Sequence, residues 1–89
     1  MNDMIADEEV GRIINSILGQ EFAAFGFRGA EFTEVDLPDG TVFLDIESKV
    51  DRRVDAFISI RTLSKLRDAL LAAGEHRFPN VINYHPEAA

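Results

Sequence analysis

The sequence predicts a small α+β domain in the order α-β-β-β-α(-β): an antiparallel three-stranded meander with two helices on one face. Three observations predict it. Apolar residues between Val10 and Phe25 recur at helical spacing, residues 31 to 60 alternate apolar with polar, and a second helical stripe runs from Leu63 to Ala73. The chain has 89 residues, enough for one domain and one modest core, so a single domain 1–89 is expected, ordered from about residue 7 to 85.

The first helix is expected from Asp7 to Phe25. Asp7, Glu8 and Glu9 suit the positive end of its dipole, and Gly26 can take the left-handed conformation that stops it. Val10, Ile13, Ile14, Ile17, Leu18, Ala24 and Phe25 form its apolar stripe. Gly11, Asn15 and Gly19, four residues apart, make a strip of small residues where another backbone can approach. Glu21 lies one turn beyond Ile17, so either the helix bends at Gly19 or this carboxylate is partly buried.

Strands follow at about 31–37, 41–49 and 54–60. In the second, Val42, Leu44 and Ile46 face one way and Phe43, Asp45 and Glu47 the other. In the third, Val54, Ala56, Ile58 and Ile60 oppose Asp55, Phe57 and Ser59. Pro38-Asp39-Gly40 suggests a three-residue loop that would pair Leu37 with Thr41. Pairing Leu37 with Val42 instead gathers Val35, Leu37, Val42, Leu44 and Ile46 on one face. Because a one-residue slip exchanges the faces, burial is expected to decide for Leu37 opposite Val42. The next hairpin would pair Val50 with Val54 and Lys49 with Asp55, although its loop, Asp51-Arg52-Arg53, has no glycine. The second helix is expected from Thr62, as cap, to Ala73, with Leu63, Leu66, Ala69, Leu70 and Ala73 buried and Gly74 as its stop. Residues 78–85 are β-prone and suit a further edge strand, with Pro79 near its start.

The expected register has a functional consequence. It places Phe32, Glu34, Asp36, Phe43, Asp45, Glu47 and Phe57 on the sheet face that the helices leave open. Opposed like charges destabilise a strand pair by a few tenths of a kcal/mol, and exposed aromatics gain nothing from burial. Together they suit partner binding, with aromatic anchors for area and acids to select a basic or guanidinium-bearing protein.

Charge points the same way. The formal net charge is -7. Residues 1–48 hold 11 acids against Arg12 and Arg28, giving -9, and residues 49–89 hold 7 bases against 5 acids, giving +2. Repulsion from phosphates disfavours general nucleic-acid binding. A basic protein partner suits the numbers, as does a homodimer in which opposite halves meet. There is no cysteine, hence no disulfide, thiol nucleophile or Cys-ligated zinc. No run approaches the roughly 18 apolar residues of a membrane span. The acidic MNDMIADEE start is unlike a secretory signal, so a cytoplasmic location is expected, with no membrane partner.

Chemistry finds little support. A flat strand face offers paired carboxylates neither a cleft nor unequal environments. His76 and His85 are nine residues apart and read as surface histidines, and no serine sits in a nucleophile elbow. No enzyme activity, metal or cofactor is expected. Gly26-Phe27-Arg28-Gly29 resembles the GxxG loop of KH domains, but there the loop joins two helices and here a helix to a strand. The α-β-β-β-α order is similar to that of double-stranded RNA-binding domains, in which a basic cluster at the second helix grips phosphates. Arg61, Lys65 and Arg67 occupy a comparable place, without the family's lysine-rich motif. The expected function is therefore a small acidic, non-enzymatic interaction module: an adaptor, regulator or inhibitor. The alternatives are an acidic nucleic-acid mimic of the phage-inhibitor type, and RNA binding through the second helix.

Overall fold

The computed structural model describes residues 5–86, with side chains described for residues 5–80. The order is α1 (Asp7–Glu21), a 3-10 turn (Ala23–Phe25), β1 (Gly29–Asp36), β2 (Val42–Val50), α2 (Ala56–Ala72) and β3 (Phe78–Pro86). The class is α+β, as expected, but the sheet is mixed. Its strand order is β1-β2-β3, with β1 antiparallel and β3 parallel to β2. The antiparallel meander is thus corrected to a hairpin followed by a β-α-β crossover.

The expected third strand is where the readings part. Residues 56–60 form the opening turns of α2, not a strand, and the Val50–Val54 and Lys49–Asp55 pairings do not exist; Lys49 lies opposite Gly29 and His85. The Asp55 carboxylate accepts a hydrogen bond from the Phe57 N–H at 2.8 Å, which caps the helix seven residues earlier than the expected cap, Thr62. A tight hairpin at 51–53 would favour a residue with positive φ, and the loop supplies no glycine. As a helix, the segment buries Thr62, Leu66 and Leu70 in one stripe, with Leu63 and Ala69 half-buried and Ala73 exposed. The vacated edge of β2 is taken by β3, the expected C-terminal strand.

The hairpin register is also corrected. Asp36, not Leu37, lies opposite Val42, and Val35 lies opposite Phe43. The Leu37 N–H donates to the Thr41 carbonyl at 2.8 Å and the Gly40 N–H to the Leu37 carbonyl at 2.9 Å, closing the three-residue turn with Gly40 at φ 90°. Turn geometry prevails because the apolar surplus can be met elsewhere. Leu37 stays 38% exposed, while Leu44, Ile46, Ser48 and Val50 from β2 face the helices.

The core joins Val10, Ile14, Leu18 and Phe22 of α1 and the residue after it to Leu44, Ile46 and Val50 of β2 and to Val54, Leu66 and Leu70. Each fully buried side chain of this size contributes about 1.5–3 kcal/mol. α1 ends at Glu21 rather than Phe25; Phe22 leaves helical geometry at φ -106°, a 3-10 turn follows, and Gly26 stops it at φ 75°. The small-residue strip is used. The Phe32 and Phe27 rings lie against Gly11 and Gly19, and between them the Asn15 amide donates to the Ala30 carbonyl (3.1 Å) and accepts from the Ala30 N–H (3.0 Å). Asn15 thus satisfies one residue of the β1 edge.

Candidate functional site

The antiparallel register sorts β1 and β2 into two faces. Ala30, Phe32 and Glu34 share the helix side with Ser48, Ile46 and Leu44, while Glu31, Thr33 and Val35 share the open side with Glu47, Asp45 and Phe43. Phe78 lies opposite Phe43 and is 41% exposed. The open side therefore carries an apolar row, Val35–Phe43–Phe78, running across all three strands. Beside it lie Thr33 opposite Asp45 and then Glu31 opposite Glu47.

These last residues, with Phe32, line a shallow hollow of about 180 Å³. One carboxylate oxygen there, Oδ1 of Asp45, is buried with no hydrogen-bond partner among the described residues. An unpaired buried acceptor costs about 1–3 kcal/mol. A guanidinium or ammonium from outside would supply the missing donor, and the neighbouring row would hold that partner's apolar side chains. The Glu31–Glu47 opposition adds like-charge repulsion that a cation relieves.

The expected site residues divide accordingly. Phe43, Asp45 and Glu47 come together on the open face. Phe32 is half-buried and packs on the core from the other side. Asp36 is exposed at the end of β1, level with Val42. Phe57 is 75% exposed on the first turn of α2, away from the sheet. The sequence reading missed Glu31, Val35 and Phe78. Odd-numbered alternation through Glu31, Thr33 and Val35 was the signal for two of them, once the Pro-Asp-Gly turn is allowed to set the register.

Glu34 belongs to a different constellation, also missed. Arg77 has a side chain only 7% exposed, and it meets three carboxylates: Glu75 (2.9 Å), Glu34 (2.5 Å) and Asp7 (3.3 Å). Glu75 is fully buried and accepts from Arg77 Nε, Nη2 and backbone N–H as well as from the Ile5 N–H. Burial pushes the Glu75 carboxyl up, but the Arg77 hydrogen bonds, the Ile5 N–H and the guanidinium charge together hold it below the ordinary value of 4.5. The Arg77 pKa is raised, chiefly by its hydrogen bonds to Glu75. This cluster ties the start of α1, β1 and the α2–β3 connection together.

Glu21 is partly buried, one of the two outcomes expected for it. Its side chain is 11% exposed and pairs with Lys65 (3.0 Å) and Arg61 (3.1 Å). The Lys65 hydrogen bond holds its carboxyl below the ordinary value against the opposing effect of burial, with the Lys65 and Arg61 charges assisting. Two of the three cations considered for RNA contact are thus held by Glu21. His76 is exposed, and His85 lies outside the described side chains. Among the described residues no group of three or more His, Cys, Asp or Glu could hold a metal ion, and no helix is long and apolar enough to cross a membrane.

No family model matches the chain, and no curated protein matches it. Among solved structures, it is similar to one named "Mode of Action of a Putative Zinc Transporter CzrB (Zn form)". The TM-score is 0.53 at 20% identity, covering 98% of this chain and 94% of that one. At that identity the likeness shows a shared fold and nothing finer.

Proposed function

We propose that the chain is a small acidic, non-enzymatic interaction module that docks a basic protein segment on the open face of its sheet, acting as an adaptor, regulator or inhibitor. One observation carries the reading: the buried, unpartnered Asp45 oxygen in an acidic hollow beside the Val35–Phe43–Phe78 row. An arginine or lysine of the partner enters the hollow, and flanking apolar side chains lie on the row. Acidic mimicry of nucleic acid would use the same carboxylates against a basic nucleic-acid-binding protein.

The test is titration of the chain with an arginine-rich amphipathic peptide, followed by amide chemical shifts. Shifts should cluster on residues 31–35, 43–47 and 78. The Asp45→Lys/Glu47→Lys double variant should lose at least about tenfold in affinity and much of the salt dependence, with the melting temperature changed by no more than a few degrees. Undiminished binding by that variant would defeat the proposal.

A further inference from the structure

The outer face of α2 is a second uncovered surface. Phe57 is 75% exposed, Ile60 68% and Leu71 43%. With Ser64 and Arg67 they follow the i, i+3, i+4, i+7 spacing of one helix face, turned away from the buried stripe of Thr62, Leu66 and Leu70. Alongside runs a groove of about 290 Å³ lined by Ile60, Leu63, Ser64, Arg67 and Pro79. Apolar residues this exposed, next to an unfilled groove, mark a contact surface.

We propose that this face binds a second copy of the chain, with α2 packed antiparallel on the partner's α2 about a two-fold axis between residues 60 and 61. The two Ile60 side chains then meet near the axis. Phe57 of each copy falls opposite Ser64 of the other, where the small side chain leaves the groove open to receive the ring. The same register sets Arg53, just ahead of the helix, opposite Asp68 of the second copy, and brings Arg67 beside Asp55. Among the described residues, the side chains of Arg53, Arg67 and Asp68 make no ion pair or hydrogen bond within the chain, and Asp55 uses one oxygen for its cap. Arg61 is drawn off the seam by Glu21. A two-fold operation repeats each opposite-charge pair, so the surface is complementary to itself, and this selects a second copy over an unrelated apolar partner.

Sedimentation equilibrium of the full chain, from about 1 to 300 μM, tests this. A dimer is expected, and Phe57→Glu should weaken it at least about tenfold. Arg53→Glu alone and Asp68→Arg alone should each weaken association, and the two combined should restore it. All three positions are exposed, and circular dichroism checks that the variants fold. Peptide binding by the sheet face should be unchanged in Phe57→Glu, so the two proposals fail separately. A wild-type monomer throughout the range, a dimer indifferent to Phe57→Glu, or a charge swap that fails to restore association overturns the inference.

Discussion

Glu34 and Asp45 lie within one row of each other on the same strand pair, but on opposite sides of it. On the helix side, Glu34 joins Glu75 and Asp7 around Arg77, and the buried charge is answered by hydrogen bonds on nearly every side. On the open side, Asp45 has a buried oxygen with no partner among the described residues, in a hollow whose described lining holds no cation. One set of carboxylates holds the chain together, while on the other side the Asp45 oxygen finds no donor among the described residues. The difference lies in whether a cation sits within reach, since the residue types are the same.

Removing the cation should have the largest effect. Arg77→Met keeps most of the volume but strands Glu75 in a fully buried site, and should cost about 3–5 kcal/mol in urea unfolding. A loss below about 1 kcal/mol would mean that water reaches Glu75 and the two sides are not different in kind.

Acid should act on the same cluster. The native Glu75 carboxyl lies below 4.5, so the unfolded chain binds its proton first as the pH falls. Its contribution is therefore complete above about pH 4.5 and is lost as the pH drops through the native value. Glu21 acts in the same direction through Lys65 and Arg61. Thermal melts from pH 7 to 2.5 should be flat at first and then decline, and Glu75→Gln should flatten the decline while lowering stability at neutral pH. An unchanged acid slope in that variant would remove Glu75 from the account.

The smallest effect has the opposite sign. Asp45→Val removes the unpartnered oxygen and places a β-branched side chain opposite Thr33, and should stabilise the fold by about 1 kcal/mol while reducing peptide affinity. A destabilised variant would show that Asp45 has a structural role on the open face.

Much of this was legible locally. The Asp7 start of α1, the Gly26 and Gly74 stops, the close approach along Gly11–Asn15–Gly19 and the sidedness of Phe43, Asp45 and Glu47 follow from spacing and turn chemistry, which act within a few residues. Phe32 and Glu34 face the open side only in the register that buries Val35 and Leu37; the Pro-Asp-Gly turn prevails, and that one-residue step turns both to the helix side. The Arg77 cluster was missed although Glu75 and Arg77 stand two apart just after Gly74. Its meaning depends on Glu34 and Asp7, which lie 43 and 70 residues away in the chain.

The class, two helices, a β1–β2 hairpin about Pro38-Asp39-Gly40 and the excess of acid in the first half are written in the sequence, while the hairpin's register is not. Which segment pairs with the second edge of β2 is settled by long-range packing. Residues 54–60 alternate like a strand, but alternation states only that a segment has two faces. An Asp55 cap and a stripe able to bury Thr62, Leu66 and Leu70 made the helix the better use of them. That left β2's edge to residues 78–86, and with it the place of Phe78 beside Phe43. Strand pairing joins residues far apart in the chain, and its outcome depends on what every competing segment can bury elsewhere.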